Sequence, residues 1–256
     1  MQTRCGVFAV FLATFLAFLN EPVAVQRREA SATRPVSGQD GLVGWWNMDE
    51  TAGTTVHDAS GNDNTGVIEG NFAWSSGRIA GAIELDGRQD SIIRIPNSPT
   101  LRRTANQITV MAWTYRTRNR NVAVVSHNYP DLFFGFHGSQ FKWQIRNASD
   151  QYAECYSGNA TLNQWFHIAA TYDGAMARLF VDGAEICHAD LTGAIPMRDG
   201  PFMISGYLNT PGSPDFDKDA RSGIVDEMPG KIDEVRIYDR ALSASEINAV
   251  YSKGAV

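Results

Sequence analysis

Cysteine is scarce in this chain, three residues in 256, and one of them lies in an N-terminal apolar run. That excludes a disulfide-dense miniature scaffold and a zinc knuckle, both of which need several sulfurs at short spacing. Long apolar runs are missing too. The run "CGVFAVFLATFLAFL" has 15 residues, fewer than the roughly 20 a spanning helix needs. There is no excess of positive charge: 22 Lys and Arg face 28 Asp and Glu, for a formal net charge of −6. A nucleic-acid binder would carry a basic stripe instead. Helical periodicity is confined to the last few turns of the chain. What the chain has is apolar mass, 43% hydrophobic and 11% aromatic residues, enough to build a large core and to exclude global disorder.

The apolar run follows Arg4 and gives way to polar residues at Asn20. A basic start and a short apolar core make residues 1–24 a predicted signal peptide. Cleavage after "PVA" at Ala24 or after "ASA" at Ala32 and retention as an N-terminal anchor are the alternatives. Residues 25–40 have almost no large apolar side chains and read as a solvated linker. Residues 41–256 remain, a length suited to one domain. Export, to the medium, the cell surface or a periplasm, leaves Cys155 and Cys187 as an even pair in an oxidising compartment. A disulfide between them is therefore expected, with two buried thiols as the alternative.

From Leu42 onward, short β-rich runs alternate with Gly, Asn, Asp and Pro turns. Segments such as "GAIELDG", "ITVMAWTYR", "QFKWQIR" and "QYAECYS" are about a dozen predicted strands joined by few long loops. That pattern predicts an all-β fold, a two-sheet antiparallel β-sandwich of jelly-roll type. In "ITVMAWTY", Ile108, Val110 and Ala112 point one way and Met111, Trp113 and Tyr115 the other. The second face is expected to lie against a loop or line an aromatic groove. A short C-terminal helix is predicted where Ser243 and Glu246 form a capping box and Ile247, Val250 and Tyr251 make one stripe.

Four segments, in order, resemble a known family. "GLVGWWNMDETAGTTVHDASGNDNTG", "GAIELDG", "WFHIAATYDGAMARLFVDG" and "GKIDEVRIYDRALSASEI" are similar to segments of the laminin-G-like jelly rolls of the concanavalin A-like lectin/glucanase superfamily. The resemblance runs over residues 42–252 and implies that fold. It also implies a structural Ca²⁺, with Asp58 and Asn62 from the "DASGN" loop and Asp233 from the closing strand as ligands. Oxygen donors of this kind suit a hard cation. A turn held by Asx hydrogen bonds without metal is the alternative. A second acidic stretch spaces Asp215, Asp217, Asp219 and Asp226 like a calcium loop, but Ala220 stands where such a loop needs glycine.

The superfamily's glucanases use two carboxyls about 5–5.5 Å apart. In "ELDGRQD", Gly87 ends the strand after Glu84 and Asp86, with no further Glu. In "IDEV", simple alternation would put Asp233 and Glu234 on opposite faces. The resemblance thus carries the fold without the catalytic pair. His167, between apolar neighbours, reads as structural. The strands between 122 and 157 carry His127, Tyr129, His137, Trp143, Gln144, Arg146, Glu154 and Tyr156 as a candidate concave ligand face. A lectin would stack sugars on such aromatics and read hydroxyls with the amides; a polysaccharide lyase would set Arg on a uronate and move protons with Tyr or His. No catalytic residue is assigned. The expected function is exported, non-catalytic binding of an extracellular polysaccharide or glycoconjugate, or adhesion. A lyase or hydrolase on the same face and a protein-interaction module are the alternatives.

Overall fold

A computed structural model describes residues 39–88, 90–208 and 224–254. The expected leader, most of the linker, and Asp215, Asp217 and Asp219 lie outside them. The first strands are β1 (Leu42–Trp46), β2 (Thr55–Val56), β3 (Gly66–Glu69), β4 (Phe72–Ser76), β5 (Gly81–Asp86) and β6 (Ile92–Ile95). A 3₁₀ turn at Leu101–Ala105 leads to β7 (Ile108–Arg116), β8 (Val122–His127), β9 (Leu132–His137), β10 (Gln140–Arg146) and β11 (Tyr152–Ser157). The chain continues through β12 (Trp165–Tyr172), β13 (Met176–Val181), β14 (Ala184–Asp190), β15 (Phe202–Ile204), β16 (Tyr207–Leu208), β17 (Ile224–Val225) and β18 (Pro229–Tyr238) to helix α1 (Ala244–Gly254).

These strands form two large antiparallel sheets, so the fold is the expected sandwich. The first sheet runs β14-β13-β12-β7-β18-β5-β4, with β1 beside the far half of β18; the second runs β11-β10-β9-β8-β15-β6-β3-β2. Period-two alternation decides what fills the space between them. Ile108, Val110 and Ala112 of β7 meet Phe134, Phe136, Trp143 and Ile145 of the second sheet in one core. The "VDGAE" segment makes the β13–β14 hairpin, with Asp182 and Gly183 at positive φ as a tight turn needs.

Helix α1 covers the other face of the first sheet. Ser243 accepts from the Glu246 N–H at 3.3 Å and Glu246 accepts from the Ser243 N–H at 2.8 Å, the reciprocal capping box. Ile247 and Val250 then bury against Met111, Ala169, Phe180 and Tyr238, each burial stabilising by about 1.5–3 kcal/mol. Trp113 packs on Tyr251 at 5.7 Å. The second apolar face of β7 therefore meets a helix, where a loop or an aromatic groove was expected.

The disulfide joins Cys155 to Cys187, with Cα atoms 5.8 Å apart. Cys155 lies on β11 and Cys187 on β14, the edge strands at one end of the two sheets, so the bond staples the sandwich shut along that side. The small β16–β17 pair lies over the outer face of the second sheet. Leu208 and Ile224 there pack on Ile92 and Met203.

Candidate binding face

Three neighbouring strands of the second sheet send alternate residues into the core and outward. Leu132, Phe134 and Phe136 of β9, Phe141, Trp143 and Ile145 of β10, and Ala153 and Cys155 of β11 face the core. Phe133 and His137, Lys142, Gln144 and Arg146, and Tyr152, Glu154 and Tyr156 consequently face away from it. The register sets Lys142 beside Tyr156, Gln144 beside Glu154, and Arg146 beside Tyr152.

Aromatic rings dominate this face. Tyr129, from the loop after β8, stacks on Tyr207 of β16 with centroids 4.0 Å apart, and Phe133 meets both edge-on at 5.9 Å. The Lys142 ammonium sits 4.7 Å from the Phe133 ring and 5.1 Å from Tyr156, and 3.9 Å from the Glu154 carboxylate. Burial pulls the Lys142 pKa down. The Tyr156 hydroxyl donates to Glu154 at 3.2 Å, and His137 lies edge-on to Tyr156 at 5.5 Å. The outermost rings remain open: Tyr152 is 46% and Tyr156 37% exposed. Both phenols are therefore open to a stacking partner.

The electrostatics of the face follow from its burial and its acids. Burial, then Glu154, pushes the Tyr156 phenol up to about 12. Burial followed by Asp226 raises Tyr129 and Tyr207 as well. A tyrosine that must give up its proton at neutral pH would need the opposite shift. Arg146 is also committed. Its Nε donates to Asp131 at 2.6 Å and its Nη1 pairs with Asp150 at 3.0 Å, while Arg198 takes the same Asp131 at 2.9 Å. Burial holds Asp131 up at about 6 even between two guanidinium groups.

Of the eight expected face residues, Tyr129, His137, Gln144, Arg146, Glu154 and Tyr156 come together. His127 and Trp143 do not. Trp143 is fully buried between the sheets, edge-on to Phe134 at 6.2 Å, because its parity in β10 is opposite to that of Gln144. His127 stacks on Phe202 at 4.5 Å in the same core, and burial lowers its pKa to about 4, so it stays neutral there. His167 is likewise buried, with its pKa lowered by burial to about 3, which fits the structural role expected of it. Phe133, Lys142, Tyr152 and Tyr207 belong to the face and were not anticipated. For Lys142 and Tyr152 the signal was present, since each shares strand parity with an expected residue.

The carboxylates elsewhere serve the backbone. Asp58 accepts N–H bonds from Trp45, Ser60 and Asn64, each at 2.9 Å, and Asn62 donates to the Leu42 carbonyl at 3.1 Å. Asp233 accepts from the Arg78 and Ile79 N–H groups at 2.9 and 2.8 Å through Oδ2. Its Oδ1 is buried with no hydrogen-bond partner among the described residues, and burial pushes the carboxyl up to about 7. Glu234 accepts from the Trp45 indole at 2.9 Å and pairs with Arg236. Among the described residues no group of three or more His, Cys, Asp and Glu stands ready to hold a metal ion.

Asp233 and Glu234 are not on opposite faces. A bulge between Asp233 and Arg236 adds a residue against β7, and Glu234 takes a positive φ of 56°. Ile232 and Val235 both face the core, leaving the two acids between them on the side away from it. Burial raises both carboxyls; Glu234 and Asp49 add to the rise at Asp233, and Asp49 to that at Glu234. Both are buried, so neither carboxylate is open to a substrate.

A family model described as the concanavalin A-like lectin/glucanases superfamily matches residues 86–248, more than half of the chain. A search of curated proteins found no match. Among solved structures, the binding domain of Paraclostridial Mosquitocidal Protein 1 superposes with a TM-score of 0.67 at 14% identity over 85% of this chain and 53% of that one. The botulinum neurotoxin serotype G binding domain gives 0.63 at 14% identity over 83% and 51%. The chain thus spans about half the length of these toxin domains. Domain 4 of AbnA, an extracellular arabinanase from Geobacillus stearothermophilus, solved with arabinotriose, gives 0.59 at 20% identity over 82% of this chain and 98% of that domain.

Proposed function

Because the chain belongs to the concanavalin A-like lectin/glucanases superfamily, we propose that it is an exported, non-catalytic module that binds an extracellular polysaccharide or glycoconjugate. The ligand lies on the outer face of the second sheet. One observation carries the reading: Tyr152 and Tyr156, both open to solvent, flank Glu154 on one strand edge beside the Tyr129–Tyr207–Phe133 cluster. Sugar rings stack on phenol faces, while Glu154 offers an acceptor for hydroxyls; Gln144 is buried and donates to the Pro130 carbonyl at 3.0 Å, bracing the loop that carries Tyr129. The arabinotriose-bound arabinanase domain, similar over nearly its full length, adds support.

The test is a glycan array followed by calorimetry on Tyr152→Ala/Tyr156→Ala. Wild type binds at least one polysaccharide without releasing product, and the double variant binds it about tenfold or more weakly, roughly 1.4 kcal/mol. Absence of any glycan ligand refutes the reading and favours a protein partner. Unsaturated or reducing-end products would mean an enzyme instead.

A structural Ca²⁺ belongs to the same proposal, with a narrowed donor set. Asp233 is the donor of the three that fits best: its Oδ1 is buried with no partner among the described residues, and a bound charge would hold the carboxyl ionised. Asp58 and Asn62 fit less well, being already engaged by backbone groups. EDTA should lower the melting temperature of wild type and leave Asp233→Asn unmoved. Equal melting curves for wild type with and without EDTA refute the site.

A further inference from the structure

Two tyrosines of the outer face are placed for a reaction that ligand binding does not use. Tyr129 and Tyr207 stack with centroids 4.0 Å apart and ring planes 27° apart, where aromatic pairs ordinarily keep about 4.5–7 Å. No other ring pair among the described residues is as close; the next, His127 on Phe202, stands at 4.5 Å. Each ring is fixed from a different part of the chain. Tyr129 stands in the turn closed by the Asp131 N–H on the Asn128 carbonyl at 2.9 Å, and Asp131 is itself gripped by Arg146 and Arg198. Tyr207 stands on β16, opposite Val225 of β17. Both rings are half-buried, within reach of a small oxidant.

The hydroxyls lie together as well. Burial, then Asp226, raises both phenols; a hydrogen bond between them lowers Tyr129 and raises Tyr207, the shifts of an acceptor and its donor. Hydroxyl beside hydroxyl in a face-to-face stack aligns the two rings, so the Cε carbons flanking each oxygen are neighbours too. When a phenol loses an electron and its proton, those carbons share the unpaired spin, in p orbitals perpendicular to the ring. A stacked pair points these orbitals at one another, whereas an edge-on pair such as Tyr129 and Phe133 does not. The proton has a destination. Asp226, half-buried, is the charge that both phenols feel most strongly.

We propose that Tyr129 and Tyr207 are an oxidative modification site, coupled to a dityrosine within one chain by a peroxidase acting with hydrogen peroxide. Each phenol loses one electron and one proton, and a C–C bond forms between one Cε of each ring. The hydrogen on each joined carbon then moves to its oxygen and restores two phenols. The pair has lost two electrons and two protons, which hydrogen peroxide takes up to become two molecules of water. Groups already held in contact react as though at very high concentration. Coupling within the pair therefore outruns the meeting of Tyr152 or Tyr156, the more exposed phenols, with a second molecule. The product ties β16 to the turn after β8. It needs no glycan, so it stands or falls apart from the outer-face reading.

Treating the full chain with hydrogen peroxide and a haem peroxidase tests it, read by mass spectrometry of the monomer and of its proteolytic peptides. We expect a monomer lighter by two hydrogen atoms and a cross-linked peptide pair that joins Tyr129 to Tyr207. Tyr129→Phe and Tyr207→Phe keep the ring and the stack but cannot become phenoxyl radicals, so each should lower monomer dityrosine about tenfold or more. Tyr152→Phe/Tyr156→Phe should leave the cross-link in place, and its loss there would overturn the site. So would dityrosine found only in covalent dimers, a monomer cross-link between other tyrosines, or wild-type yield in Tyr207→Phe. Absence of dityrosine under conditions that couple free tyrosine would overturn it as well.

Discussion

Removing the Cys155–Cys187 bond offers the most direct measurement of how this sandwich is held. The bond spans 32 residues of sequence and joins the edge strands of the two sheets. On the chain-entropy account, a loop of this length stabilises the folded state by roughly 3–4 kcal/mol, by restricting the unfolded chain. Cys155 is also fully buried in the inter-sheet core, so alanine there vacates the volume of a sulfur and adds about 1 kcal/mol. Cys155→Ala/Cys187→Ala should therefore lose about 4–5 kcal/mol in urea unfolding. Wild type held reduced should lose only the loop-closure part, because its sulfurs still fill the core. The difference between the two separates cavity from loop. For a domain of this size the reduced form should melt roughly 6–15 °C lower. A loss under about 1 kcal/mol in the reduced wild type would refute the reasoning, since the bridge would then constrain nothing the unfolded chain explores.

Two more perturbations test the buried charges. Burial holds His127 at about 4, below its unfolded value of about 6.5. The native state then binds fewer protons in that window, and stability falls as pH drops from about 6.5 toward 4, by up to about 3 kcal/mol. Asp233, raised to about 7, acts in the opposite sense and is lost as a stabiliser as pH rises through 7. The comparison is therefore between variants: His127→Leu should lose less stability than wild type between pH 7 and pH 4.5 in thermal melts, and parallel curves refute it. Asp131→Asn should cost about 1–3 kcal/mol, because the Arg146 guanidinium, mostly buried, loses its buried carboxylate partner and keeps only the exposed Asp150. Urea midpoints measure this, and a change below about 1 kcal/mol would mean Asp150 and solvent suffice.

How much of this was legible follows from where each constraint is written. The hairpin at Asp182–Gly183, the helix capped by Ser243 and Glu246, and the inward set Ile108, Val110 and Ala112 are local. Turn chemistry, capping and period-two parity lie within a few residues of each other, so the sequence displays them. Trp143 was readable in the same way, one step from Gln144 in "QFKWQIR", and its parity contradicts a place on the ligand face. His127 was not. The β8 ladder to β9 shifts register between Ala123 and Val125, and all six residues of "VAVVSH" are buried, so alternation gives no reading of which way the histidine turns. Tyr207 reaches the face through a small strand pair that stacks it on Tyr129, a contact made by the tertiary arrangement alone.

Asp233 and Glu234 make the same point most sharply. Within "KIDEVRIY" a regular strand separates them, and that alternation was the first argument against a catalytic pair. β18, however, must serve β5 and β1 on one side and β7 on the other. The mismatch is taken up as a bulge, with Glu234 in the left-handed region. Both acids consequently point toward the helix-covered side. There Asp233 holds the Arg78–Ile79 turn and Glu234 holds Trp45 and Arg236. The pair is therefore closed to a substrate because of its burial, not because of strand parity. That geometry also leaves Asp233 Oδ1 buried with no partner among the described residues, the oxygen on which the proposed cation depends.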